Sequence, residues 1–287
     1  MRSLGLFLFA AVLSACASLL YVAASRPQAV EAKNFLGFDA NDYPGDEALP
    51  VLRKTFSFTS YWLSPPPGEK STSWLGKRSA LQSQGFGFVV LWNGPLQRNV
   101  KSASDAQQKG KLDGQAAVKA ARQEGFPIGT VIFLDVEEGG RLSPAYHEYV
   151  HAWIDTLAVE GFRAGVYCST IPVNEGAGIR ITTADDLQDK LAGRKLVFWV
   201  FNDACPPSPG CAFPELPPAP AKGGFAGATV WQYAQSPRRK QFTAHCAAKY
   251  PPDGNCYAPR DTARKWFLDA NAATSADPSA PYSGQIP

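Results

Sequence analysis

Residues 130–140, Thr-Val-Ile-Phe-Leu-Asp-Val-Glu-Glu-Gly-Gly, constrain the fold more than any other stretch. A run of apolar and β-branched residues leads into Asp135 and Glu137, and two glycines then break it. Side chains alternate across a strand, so the two acids point the same way, roughly 6–7 Å apart along the backbone. Val131 and Phe133 share that direction, whereas Ile132, Leu134 and Val136 point the other way. A segment apolar on both faces reads as a buried parallel strand. Carboxylates at the C-terminal lip of such a strand stand where an α/β barrel keeps its chemistry. Desolvation and mutual repulsion there can hold one acid protonated while its neighbour stays ionised.

Strand-like and helix-like segments alternate along the chain. Strands are expected at 35–39, 56–62, 86–92, 130–137, 164–169, 196–203 and 228–233, the last being the final clear strand. Helices are expected at 71–84 and 113–124, from Ser143-Pro144 to Gly161, and from Thr183 onward. This alternation argues for a parallel α/β architecture. Acids or aromatics recur at the strand ends, at Asp39, Trp62, Trp92, Asp135, Glu137, Tyr167, Asp203 and Tyr233. No G-x-G-x-x-G or P-loop accompanies them, which counts against an open doubly wound sheet. The expectation is a (β/α)8-type TIM barrel, irregular in its last third because residues 205–225 are rich in Pro and Gly without periodicity. The expected boundaries are 1–32 for an export signal or N-terminal anchor, 33–270 for the barrel, and 271–287 for a flexible tail.

The apolar stretch from Leu4 to Ala24 sits between Arg2 and Arg26. It reads as an export signal or membrane anchor. Three fates compete: cleavage near Ala24 or Ala32, lipidation at Cys16 within the lipobox-like Leu-Ser-Ala-Cys, or retention as a spanning helix of about 20 residues. Cleavage is favoured, and each fate puts the domain in a periplasmic or extracellular setting. Two cysteine pairs, Cys205 with Cys211 and Cys246 with Cys256, enclose short loops and are expected as disulfides. Cys168 is left as a free, buried thiol. The formal charge of +3 is small, and its lysines and arginines are scattered, which argues against nucleic acid. Arg238-Arg239-Lys240 reads as a solvated loop.

The ordered set Gly-Phe-Asp39, Leu-Asp135-Val-Glu137, Gly-Val-Tyr167, Phe-Trp199 and Trp231-Gln232-Tyr233 resembles the family 25 glycoside hydrolases, which are lysozyme-like muramidases. It is closer still to exported bacterial glycoside-hydrolase-like domains of unknown function that share their barrel. The helix from Asp113 to Gly129 is similar to that second group, and the first strand departs from the muramidase pattern. The resemblance spans roughly residues 35 to 268. It implies that Asp39, Asp135 and Glu137 form an acidic catalytic cluster with Glu137 as proton donor. Asp203 and Asp261 compete for a further acidic position at the lip.

Hydrolysis of a glycan needs one protonated acid at the leaving oxygen and one anion near the oxocarbenium-like centre. The expected substrate is a β-linked N-acetylated glycan such as bacterial cell wall, with no cofactor and no metal. Tyr43, Trp62, Trp92 and Trp199 are candidates for stacking walls against sugar rings. Tyr167, Asp203 and Trp231 join them as substrate-binding candidates. Two other readings compete. One is a non-catalytic glycan-binding or scaffold protein on the same barrel. The other is a zinc metalloprotease, because His147-Glu148-Tyr149-Val150-His151 satisfies H-E-x-x-H. Against the protease, the motif lies at a helix start, and Ile154 and Leu157 occupy the positions of its metzincin continuation. The plainer reading of that helix has its histidines facing solvent.

Overall fold

In the computed structural model, residues 33–202, 214, 216–235 and 268–281 are described. The expected export segment, Asp203, Asp261, Arg238 to Lys240, and Cys205, Cys211, Cys246 and Cys256 lie outside them. Among the described residues, no helix is long and apolar enough to cross a membrane. The strands are β1 Phe35–Asp39, β2 Phe58–Trp62, β3 Gly87–Asn93, β4 Val131–Asp135, β5 Arg163–Ser169, β6 Val173–Gly176, β7 Ile179–Ile181, β8 Val197–Phe201, β9 Ala228–Ala234 and β10 Asp269–Ala273. The helices are α1 Leu49–Leu52, α2 Arg78–Ser83, α3 Ala103–Gln123, α4 Pro144–Val159 and α5 Thr183–Asp189.

Eight strands close a barrel in the order β1-β10-β9-β8-β5-β4-β3-β2, and β6–β7 is a separate hairpin. Seven barrel strands run parallel, as expected for an α/β barrel. The eighth, β10, pairs antiparallel with both β1 and β9. Over the described residues 271–281 the structure departs from the flexible tail expected for 271–287. Residues 271–273 complete the closing strand. The chain then runs under the N-terminal end of β3 and β4. Ser279 donates from its backbone N–H to Phe88 O and accepts from Val131 N, each at 2.9 Å. Asp277 Oδ1 accepts from Phe88 N at 2.8 Å.

The barrel interior is filled from alternate strand positions. Phe133 packs over Gly165, where an added Cβ would stand 2.5 Å from its ring. Phe133 also meets the Trp199 ring edge-on at 5.8 Å. These contacts put Val131, Phe133 and Asp135 on the inner face, as the alternation requires.

Helices α3 and α4 pack on each other, and α4 packs against β5. Each starts on a serine cap: Ser102 Oγ accepts from Asp105 N at 3.3 Å, and Ser143 Oγ from Tyr146 N at 3.2 Å. Helix α3 begins ten residues earlier than the expected Asp113. Gly110 lies at the crossing with α4, where an added Cβ would meet Tyr149 O at 2.3 Å. It is a point of backbone contact, not a break. Helix α2 is shorter than the expected 71–84, since Gly76 takes a positive φ of 78° just before it.

Candidate functional site

Asp39 and Asp135 are the last residues of β1 and β4, and Asp269 is the first of the antiparallel β10. All three therefore stand at the C-terminal mouth of the parallel strands, and all three are buried. Glu137 lies two residues past β4 and is exposed. Of the two acids expected on one buried strand, only Asp135 is buried. Val136 N–H still donates to Tyr167 O at 2.9 Å, and Glu137 follows outside the strand.

Tyr167 feels the charge of all four acids. Burial, and then the negative charge of Asp39, Glu137, Asp135 and Asp269, push its phenol well above the ordinary value. It stays protonated and donates to Gln232 Oε1 at 2.8 Å. With that oxygen occupied, the Gln232 amide nitrogen faces the acids. It donates to Asp39 Oδ1 at 3.0 Å, Asp39 Oδ2 at 3.2 Å and Asp269 Oδ2 at 3.2 Å. A second arm repeats the logic. The Trp199 indole N–H, a donor only, gives its proton to Asn271 Oδ1 at 2.9 Å. This turns Asn271 Nδ2 toward Asp39 Oδ1 at 2.6 Å. Aromatic donors thus fix two amides, and the amides brace a buried carboxylate.

The aromatic candidates divide. Trp199 and Tyr167 lie inside the barrel, with ring centroids 4.8 Å apart. Trp199 is a brace beneath the acids more than a wall, being 1% exposed. Trp62 ends β2 on the inner face and donates to Ala40 O at 3.1 Å. Tyr43 is partly exposed in the loop after β1, edge-on to Trp74 at 5.3 Å, with its hydroxyl on Asp46 Oδ1 at 2.6 Å. Trp92 and Trp231 do not join the mouth. Trp92 pairs with Leu134 on the outer face, and its buried Nε1 has no hydrogen-bond partner among the described residues. Trp231 also points outward, against Gly223, and donates to Asn202 Oδ1 at 3.2 Å.

Four residues of the mouth escape the sequence reading: Asp269, Asn271, Gln232 as a donor, and Phe201. Phe201 stacks on Tyr167 at 4.8 Å and 20°, and it is partly exposed. One sequence signal for the first two does exist. Leu-Asp-Ala-Asn at 268–271 repeats the pattern Phe-Asp-Ala-Asn at 38–41. Asp39 and Asp269 prove to be register partners across the seam.

The H-E-x-x-H segment forms the first half of α4, and its histidines do not face solvent as the plainer reading had it. His147 is buried, with Nε2 3.0 Å from Asp186 Oδ2. His151 Nε2 lies 2.6 Å from Lys190 O. Both nitrogens are engaged by separate protein groups, so the pair does not converge on a shared point. Cys168 is a buried free thiol in β5, as expected.

Residues 70–202 match the family model described as Rv2525c-like, glycoside hydrolase-like domain. The matched segment carries Asp135, Glu137, Tyr167 and Trp199, and it bears out the resemblance to glycoside-hydrolase-like domains. No curated protein matches the chain. An uncharacterized B. stearothermophilus protein shares the fold at a TM-score of 0.53 with 19% identity, over 83% of this chain and 95% of that one. The Mycobacterium tuberculosis Tat-secreted protein Rv2525c, in complex with L-tartrate, aligns at 0.45 with 15% identity, over 84% and 94%. The modular autolysin LytC from Streptococcus pneumoniae, in complex with a synthetic peptidoglycan ligand, aligns at 0.45 with 12% identity, over 83% and 46%.

Proposed function

We propose that this glycoside hydrolase-like barrel cleaves a β-linked N-acetylated glycan, with bacterial cell wall as the substrate class and Glu137 as the proton donor. The observation that carries the reading is the placement of Asp39, Asp135 and Asp269 at the barrel mouth, with Glu137 two residues past β4, where the charge of all four acts on the Tyr167 phenol. Glu137 is the exposed member, able to reach a glycosidic oxygen, while Asp135 beneath it is buried. In this mechanism Glu137 protonates the leaving oxygen, and Asp135 stabilises the oxocarbenium-like centre. Asp39 and Asp269 add negative charge below. The substrate's acetamido group can act as the nucleophile, with Asp135 orienting it. Phe201 and Tyr43 offer partly exposed rings at the mouth. The apolar Leu4–Ala24 stretch supports export, which brings the domain to such a glycan.

Release of soluble fragments from purified peptidoglycan and chitin oligomers tests the reading. Glu137→Gln is expected to lose about 10²-fold or more in rate while keeping its fold.

One observation favours a second reading, a glycan-binding protein without turnover. Both oxygens of Asp39 are already occupied by side-chain amides. Wild-type protein that binds glycan but releases nothing from acid to neutral pH would establish that reading instead.

A further inference from the structure

The loop after β4 is held from outside the barrel by two side chains of α5. Thr183 is fully buried, and its Oγ1 lies 2.9 Å from Glu138 O and 3.0 Å from Gly140 O. Asp186 is also fully buried. Its Oδ2 accepts from Leu142 N at 2.8 Å and lies 3.0 Å from His147 Nε2. Its Oδ1 lies 3.4 Å from Arg141 Nη1. Arg141 in turn forks onto Glu175 of the β6–β7 hairpin, with contacts of 2.9, 3.0 and 3.1 Å. Val173 of the same hairpin packs on Gly140, where an added Cβ would come within 2.9 Å of it. Residues 138–142 are therefore pinned at successive backbone groups, immediately after Glu137.

We propose that Thr183 and Asp186 are positioning residues for Glu137: they fix the backbone of the loop that carries it, and through Arg141 they couple that loop to the hairpin. The inference rests on the reading of Glu137 as proton donor. Its physical basis is that Glu137 lies two residues past the end of β4 and directly before the backbone groups that Thr183 and Asp186 hold. A reacting group must be held to within a fraction of an ångström, and small misplacements far from the chemistry cost rate more than binding.

The test uses the whole chain with Thr183→Val, Thr183→Ser and Asp186→Asn. Valine is isosteric with threonine and deletes the hydroxyl, whereas serine keeps it. Amide hydrogen exchange across 137–143 is expected to rise about tenfold in Thr183→Val and Asp186→Asn, with β4 still protected. Glycan cleavage should show kcat lowered about tenfold, with KM within about twofold. Thr183→Ser should restore both exchange and kcat. Unchanged exchange in Thr183→Val overturns the proposal, as does Thr183→Ser behaving like Thr183→Val. If Asp186→Asn does not fold, the Thr183 pair decides. If wild-type protein cleaves no glycan, the catalytic reading fails, and the exchange result still decides whether these residues fix the loop.

Discussion

The carboxylates of Asp39 and Asp269, register partners across the antiparallel seam, are bridged by the side-chain nitrogen of Gln232, which donates to both. Two buried acids side by side repel, and the shared amide donor offsets part of that repulsion. The bridge also joins three strands, β1, β9 and β10, at the point where the barrel closes.

Gln232→Glu should therefore be destabilising at neutral pH, because it removes the donor and adds a third negative charge. The cost is expected to be about 2–3 kcal/mol or more, as for a broken buried hydrogen bond to a charged group. It should shrink on acidification, since a protonated glutamic acid regains an O–H donor. Urea unfolding of wild type and variant at two pH values checks both the size and the trend.

His147 should make stability fall on acidification. Burial lowers its pKa from the ordinary 6.5, with the nearby His151 and Lys190 pushing the same way against the pull of Asp186. Arg141 also faces that carboxylate. Because the folded value lies below the unfolded one, this contribution is complete above about pH 6.5 and is lost as pH falls through the folded value. The urea midpoint of wild type should drop more steeply than that of His147→Gln between about pH 7.5 and about pH 5.5. Parallel curves would show that His147 does not contribute.

Cys168 should be inert in the native protein. It is wholly buried, and burial pushes its thiol far above the ordinary range. A thiol reagent should label it only in denaturant. Labelling without denaturant would show that β5 opens locally.

Gly110→Ala should loosen the α3–α4 crossing. The new methyl would meet backbone at Tyr149 O, which cannot move aside as a flexible side chain can. The expected cost is about 1–3 kcal/mol, the range for overpacking a tight contact. Thermal unfolding measures it directly, and an unchanged midpoint would show that the helices separate without penalty.

These sites show what was legible from the chain. Asp135 was, because the apolar run Val131–Leu134 leads straight into it and alternation fixes its inner face, whereas Glu137, expected on the same strand, lies past its end and is exposed. The inner face of β3 was not, since Gly87–Asn93 is apolar on both sides until Asn93 and gives no sign that Trp92 points outward. β10 was hidden for a different reason. Asp-Ala-Asn-Ala-Ala has low strand propensity, and the segment is a strand because two neighbours and the side chains of Gln232 and Trp199 hold it there. Helix α3 was cut short in the reading, which began it at Asp113, past Gly110; that glycine is helical because it sits where α4 crosses closely.

The seam between β1 and β10 also governs when the site can exist. Asp39 and Asn271 touch across 232 positions of sequence, one of the longest loop closures the chain makes. Contacts that distant carry a large entropic cost before they return any stability, so they form late in folding. The parallel strands from β2 to β5 can assemble earlier from neighbouring segments, with Asp135 and Tyr167 already in place. The order of assembly then runs from half a barrel without its full acid cluster to a closed one with it. A folding experiment that follows Trp199, whose indole bonds to Asn271, should report that last step as a slow phase distinct from the formation of helix.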